Sequence, residues 1–307
     1  MTKILSHLDA DGITAGILLA KALNLEATDI SCPAKFGDVS DVADYVVDMR
    51  PYNAYHGIVI DHHDGHALNP TYKLIWDTVP ASVIVFNNFA DKIPEKEKWK
   101  VAVGANGDGQ PASIPTEVWR KFPELLEKEE ILVDGGTRVE STYRYKLLSA
   151  PINAAARMNR VGVAIASLFD AQSIDDILSS PLLIDAQEKI NSEVKRVMEA
   201  FGKRAYRPLS IGPFGVCEYS SEFKIGGRIA IKFAELTKQT ILAINARTGG
   251  ISIRGDLAGL ATEVLMNAGI KAGGHCRSGF TGAELDERQS ARDVEKMLRG
   301  IWRNCSV

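Results

Sequence analysis

The stretch KILSHLDADGITAGILLAKAL, Lys3 to Leu23, carries the reading of the fold. Lys3–Ser6 is short and apolar, which predicts a strand, and Ile13–Leu23 carries apolar residues at helical spacing, which predicts a helix. The polar turn between them, His7-Leu8-Asp9-Ala10-Asp11-Gly12, sets alternate side chains on one side of an extended segment. One imidazole and two carboxylates therefore converge there. Helix starts also favour aspartate, so Asp9 and Asp11 read equally well as plain caps. The pattern continues with strands predicted at Tyr45–Val47 and Gly57–Ile60 and a helical stretch between Pro80 and Ala90. Alternating strand and helix of this kind builds a parallel sheet in an α/β domain.

Between about Thr116 and Arg204 strand signals are sparse, and Val161–Phe169 and Leu182–Phe201 have long helical periodicity, so this part reads as a helical connection. Arg204–Leu209 contains a proline that ends the helix, and a second domain is expected from there. Its predicted strands are Leu209–Tyr219, Thr240–Ala246 and Ile251–Arg254, and its predicted helices lie near Gly227–Thr237 and Leu257–Ala268. A glycine-rich turn is predicted at Gly273–Gly274 and a charged helix at Glu287–Trp302. The expected domains are 1–150, a helical connector over 151–204, and a smaller α/β domain over 205–307.

A length of 307 residues suits two domains, and 45% hydrophobic with 24% charged residues excludes a disordered or collagen-like chain. No apolar run of about 18 residues is present, so no membrane span or signal-like segment is expected. Cys32, Cys217, Cys276 and Cys305 lack CxxC or zinc-ribbon spacing, which argues for a reducing, cytoplasmic setting. The charge is unevenly divided. Residues 1–202 hold 20 Lys+Arg against 29 Asp+Glu, a net of −9, and residues 203–307 hold 16 against 10, a net of +6. An acidic half beside a basic half suits a metal-binding domain paired with an anion-binding one, although scatter of charge over solvated surfaces gives the same count.

Two more predicted strands run into ligand-type residues: Tyr45-Val46-Val47-Asp48, and Gly57-Ile58-Val59-Ile60-Asp61-His62-His63. Side chains just past the carboxyl ends of parallel strands gather in one crevice, so segments distant in sequence meet. Asp108, read as part of a glycine-rich turn Gly104–Gly109, is a further candidate, with Asp77 in another turn as its competitor. Acids packed this closely repel unless cations neutralise them, and a dinuclear metal centre does so. His56 and His66 flank the DHH segment and read as surface or supporting residues. Trp99, Trp119 and Trp302 read as packing residues, and Lys92–Lys98 as a solvated loop.

The motifs HLDADG, VVD, DHH and GANGDG occur in the order and approximate spacing of the DHH phosphoesterase family, which the chain resembles. Gly273-Gly274-His275-Cys276-Arg277-Ser278-Gly279 resembles the glycine-glycine-histidine signature of the DHH-associated C-terminal domain. The HLDADGITAG opening is closer to the RecJ-like branch than to the nanoRNase branch. The resemblance implies that His7 and Asp9 hold one divalent ion and that Asp11, His62 and Asp108 hold another, with Asp48 bridging. His63 then faces the phosphate, and Asp61 stands behind an imidazole to orient it. Carboxylate and imidazole ligands without thiolate favour Mn²⁺, with Mg²⁺ or Co²⁺ as alternatives. Arg254, Gly273, Gly274, His275, Arg277 and Ser278 are the candidate substrate-holding residues.

The resemblance thus implies metal-dependent hydrolysis of phosphodiester or terminal phosphate bonds in short single-stranded oligonucleotides or nucleotides, by water that two ions activate. A homodimer is compatible with it. A pI near 6.1 and the lack of an appended nucleic-acid module favour small substrates over the long chains of a RecJ-like exonuclease. A non-catalytic scaffold of the same fold is the alternative of another class, and it is disfavoured because every candidate ligand is a competent Asp or His.

Overall fold

The computed structural model describes residues 2–33, 39, 43–51, 54–64, 66, 70–133, 138–203, 208–275, 280–285 and 291–305. They form two compact units, Met1–Glu188 and Lys189–Val307.

The first unit begins β1 (Ile4–Ser6), α1 (Ala10–Ala22), β2 (Ile30–Ser31), β3 (Tyr45–Val47), β4 (Ile58–Asp61), β5 (Lys73–Trp76) and α2 (Ala81–Phe89). It continues with α3 (Val101–Gly107), α4 (Thr116–Lys121), a hairpin of β6 (Lys128–Val133) and β7 (Arg138–Tyr143), and the helices α5 (Tyr145–Arg157), α6 (Val161–Asp170) and α7 (Ile174–Leu178), and α8 (Pro181–Lys203) carries the chain from the first unit into the second. The five strands β2-β1-β3-β4-β5 form one wholly parallel sheet, so the fold class read from the sequence holds. Its order reverses between β1 and β3. Chain leaving these two strands diverges, and a crevice opens at their carboxyl ends. Helix α1 is buried without a break from Ala10 to Ala20, because the sheet lies on one side of it and α2, α3 and α5 on others. That explains an apolar run with no polar stripe.

The second unit contains β8 (Leu209–Ile211), β9 (Phe214–Tyr219), α9 (Gly226–Thr237), β10 (Thr240–Asn245), β11 (Gly250–Arg254), α10 (Ala258–Asn267), β12 (Lys271–His275), β13 (Phe280–Glu284) and α11 (Ala291–Cys305). The sheet order is β12-β13-β11-β10-β9-β8, antiparallel except for the β9–β10 pair. Leu242, Ile244, Ile251 and Ile253 pack with Ala258, Ala261 and Leu265 of α10 and with Val294 and Leu298 of α11.

Three expectations need correction. The segment from about Thr116, read as a helical connection with sparse strand signals, contains the β6–β7 hairpin, whose paired positions include Glu129, Glu130, Glu140 and Ser141, so an exposed ribbon leaves no apolar alternation to read. Gly273–Gly274 is not a turn but the middle of β12, paired with Gly282 and Thr281. The Lys92–Lys98 run is not all solvated, since Glu97 is buried and its carboxylate meets Lys100 and Lys21. The expected break at Arg204–Leu209 and the start of the last helix at Glu287 fall largely outside the described residues.

Candidate metal centre

The carboxyl ends of β1, β3 and β4 deliver His7, Asp48 and the Asp61–His63 segment to the same edge of the sheet. Asp9 does both things its sequence allows. Its Oδ1 accepts from Gly12 N at 3.0 Å as the N-cap of α1, and its Oδ2 lies 2.9 Å from His7 Nδ1. The backbone N–H of Ala10 donates to Asn153 Oδ1 of α5 at 2.9 Å, which ties the start of α1 to the helical layer.

Asp11, one residue into α1, turns its buried carboxylate toward the start of α2, where it accepts from Ala81 N at 2.7 Å, Ser82 N at 3.1 Å and the Ser82 hydroxyl. Its Oδ2 is also 3.9 Å from His62 Nε2. Asp48 stands at the centre. Its Oδ1 is 3.0 Å from His62 Nε2 and 3.9 Å from His63 Nδ1, and its Oδ2 is 3.4 Å from His7 Nδ1. Its φ is 59°, in the left-handed region that costs a residue with a Cβ. A strained non-glycine residue in the middle of a charged cluster is characteristic of a functional position.

Of the stretch read as a glycine-rich turn, Gly104–Gly107 belong to the end of α3, and Asp108 is in the turn that caps it. Gly104 lets that helix come close: a Cβ there would stand 2.3 Å from Ser82 Oγ and 2.7 Å from Asp11 Oδ1. Asp108 Oδ2 is thereby brought to 3.6 Å from His62 Nδ1. Asp77 is exposed and turns its carboxylate onto Thr78 N at 2.6 Å, away from this group.

The imidazole that Asp61 orients is that of His63. Asp61 Oδ1 accepts from His63 Nδ1 at 2.7 Å, and Oδ2 pairs with His66 Nε2 at 2.9 Å. His66 Nδ1 meets the Tyr72 hydroxyl at 2.7 Å, which completes a chain Tyr72–His66–Asp61–His63. The sequence suggests a supporting place for His66 but gives no sign of Tyr72, Asn153 or Ser82, whose partners are 6 to 143 residues away. Nor does it single out Trp76, whose indole Nε1 donates to His63 O at 3.0 Å.

Burial and charge compete throughout. For His62 burial opposes protonation, but Asp48, Asp11 and Asp108 outweigh it and push the imidazole up to about 10. Burial likewise opposes charge on His7 and His63, and Asp9 with Asp48 in one case and Asp61 in the other raise them. Asp11 is driven well above the usual carboxylate range, first by burial and then by Asp48 and Asp108. For Asp61 burial again opposes charge, but His63 and His66 overcome it and hold the carboxyl well below that range.

Two groups of donors result. Ligand atoms of His7, Asp9 and Asp48 lie within 4.8 Å of one another, as do those of Asp48, Asp61, His62 and His63, and Asp48 belongs to both. Hard oxygen donors with imidazole nitrogens fit Mn²⁺ or Mg²⁺, and the buried acids of such a set need cations of some kind.

In the second unit, the register aligns Arg254 with Phe280 and Phe280 with His275, so β13 alone separates Arg254 from His275 at the same end of the sheet. The Arg254 guanidinium donates to Ile253 O and lies beside Gly227 at the start of α9. Gly273 and Gly274 are backbone members of β12, whereas Arg277 and Ser278 lie outside the described residues. Trp99 is core and Trp119 stacks edge-on against Tyr145, while the Trp302 side chain is not among those described. Among the described residues Cys32 and Cys217 are free thiols, and no helix is long and apolar enough to cross a membrane.

No protein-family model and no curated protein sequence matches the chain. Solved structures do. RecJ from Thermus thermophilus in complex with Mn²⁺ superposes with a TM-score of 0.66 at 16% identity, over 99% of this chain and 52% of RecJ, so the chain spans about half of that protein. An exonuclease RecJ bound to manganese gives 0.61 at 15% identity, over 98% and 90% of the two chains. The pGpG-specific phosphodiesterase PggH from Vibrio cholerae gives 0.51 at 16% identity, over 99% of both. The fold is that of the RecJ-like DHH proteins.

Proposed function

We propose that this protein is a metal-dependent phosphoesterase that hydrolyses short oligonucleotides or nucleotides, with catalysis in residues 1–150, a helical connector, and substrate held by residues 205–307. The observation that carries this reading is Asp48, one strained and buried carboxylate shared by two groups of metal-type donors at the point where the sheet order reverses. His7 and Asp9 would hold one divalent ion, Asp11, His62 and Asp108 a second, and Asp48 would serve both; of the second set His62 alone lies in the donor cluster around Asp48, which Asp61 and His63 complete. Mn²⁺ is the favoured metal, with Mg²⁺ or Co²⁺ as alternatives. When bound, such a pair supplies positive charge at phosphorus and activates water near neutral pH.

The protein's own groups do the rest. Asp61 bonds His63 Nδ1 and so sets the orientation of the imidazole assigned to the substrate phosphate. Burial works against charge on His63, but Asp61 raises its pKa, and an imidazole so placed is assigned to put a proton on a phosphoryl oxygen or hand it to the leaving alkoxide. Arg254 and His275, together with Arg277 and Ser278, are assigned to the substrate's anionic end, and Gly273 and Gly274 to close backbone approach.

The test is incubation of the pure protein with Mn²⁺ or Mg²⁺ and a panel of dinucleotides, longer RNA and DNA, 3′-phosphoadenosine 5′-phosphate and pyrophosphate. Release of mononucleotides from the shortest substrates is expected. Ion binding without hydrolysis of any member rejects the reading, and a folded protein that binds no ion returns it to the scaffold class.

A further inference from the structure

We infer that Trp76 is a stacking platform for a nucleobase of the substrate; this rests on the phosphoesterase reading and narrows it to substrates that carry a base beside the scissile phosphate. Trp76 ends β5 in register with Asp61, so it stands next to the strand that carries the DHH segment. Its Nε1 donates to the His63 backbone carbonyl at 3.0 Å, which ties the indole to the backbone of the residue whose imidazole is assigned to the phosphate. The side chain is nevertheless 45% exposed, whereas Trp99 is 2% exposed in the core.

Fixed orientation and open surface together are the informative combination. An indole whose one polar atom is already bonded has nothing left to offer a phosphate, a sugar hydroxyl or a metal ion. Its remaining resource is π surface, and among the phosphate esters proposed as substrates the nucleobase is the flat partner for it. The exit from β5 is itself held, since Asp77 Oδ1 accepts from Thr78 N at 2.6 Å. The platform is therefore in place before substrate arrives, and little ordering cost falls on binding. Because every base has a π face, the contact selects for a base without reading which one.

A competing role for Trp76 is to hold His63 through the same N–H. Two substitutions separate the roles, because Trp76→Phe keeps a ring but loses the N–H, and Trp76→Ala loses both. Each is assayed with Mn²⁺ on a dinucleotide and on its fully abasic analogue, in which the sugar-phosphate chain carries no base. In parallel, binding of AMP and of ribose 5-phosphate is measured by calorimetry, without turnover. Stacking is worth about 1–3 kcal/mol per base, or about 5- to 100-fold. We expect Trp76→Ala to raise KM for the dinucleotide by that factor relative to any change on the abasic analogue, to weaken AMP but not ribose 5-phosphate, and Trp76→Phe to retain most of both. Equal losses on both diesters in both variants, or an AMP affinity indifferent to Trp76→Ala, overturn the proposal. A wild-type protein that binds AMP through Trp76 yet hydrolyses nothing sustains the platform and rejects the phosphoesterase reading instead.

Discussion

At the level of single residues, the candidate metal centre is held by contacts that short motifs do not encode. DHH is visible in the sequence, but the order Tyr72–His66–Asp61–His63 appears only when β4 and β5 lie side by side. If the proposed function holds, His66→Ala should lower kcat by about 10- to 100-fold, the scale on which groups behind a ligand or catalytic imidazole act, with metal content unchanged from wild type. Metal analysis beside steady-state kinetics checks this, and an unchanged kcat removes His66 from the mechanism. Asp48 offers a test of its backbone. Both Asp48→Ala and Asp48→Gly should abolish turnover, but glycine escapes the cost of φ 59°, so its metal-stripped protein should be more stable by about 1 kcal/mol. Equal melting temperatures for the two variants argue against strain there. The raised His62 pKa sets a pH dependence of definite sign. Charge on His62 stabilises the metal-stripped fold fully below the unfolded value of about 6.5, and that contribution is lost as pH rises through about 10. The stability gap between wild type and His62→Gln should accordingly shrink across this window, while Mn²⁺ affinity rises with pH as the proton is displaced. A gap that stays flat in thermal melts contradicts the assigned charge state.

Among the elements, legibility follows burial. Strands β1, β3 and β4 and helix α1 are readable because both faces of the sheet are covered and the segments are nearly all apolar. The two-residue β2, the half-exposed β5 and the charged β6–β7 hairpin give no such run, and β12 hides behind its two glycines. The stretch before Asp108 misleads in another way: Gly104 suggests a turn that begins only at Asp108, and serves instead to let α3 lie against Ser82 and Asp11. This close approach gives opposite expectations for two helical glycines. Gly104→Ala should destabilise by about 1–3 kcal/mol, since the new methyl must displace Ser82 and the carboxylate it holds. Gly162→Ala on α6 meets nothing within 4 Å and should stabilise by about 0.5–1 kcal/mol. Thermal melts of the two variants decide it, and a Gly104→Ala protein as stable as wild type would show that α3 does not need this contact.

For the whole molecule, the charge division persists when counted over the two compact units. Residues 1–188 hold 17 Lys+Arg against 27 Asp+Glu, a net of −10, and residues 189–307 hold 19 against 12, a net of +7. The net charge of the first unit repels a polyanion and that of the second attracts it, so long-range attraction is limited to one part of the chain. A protein that tracks long single strands neutralises many phosphates at once, and its affinity falls with salt by about 0.7 log units per neutralised phosphate for each tenfold rise in salt. A dinucleotide can engage only one or two charges. The logarithm of kcat/KM for a dinucleotide should therefore fall with a slope of about −1 against the logarithm of monovalent salt. The slope should barely steepen for a substrate of about ten or twenty nucleotides, because the additional phosphates find no continuous basic track. The measurement is a salt titration of initial rates at fixed Mn²⁺ for chains of about two, five and twenty nucleotides. Slopes that grow steadily with length, reaching about −4 for the longest, would reassign the protein to the long-chain exonuclease class, with the basic second unit as its guide along the strand.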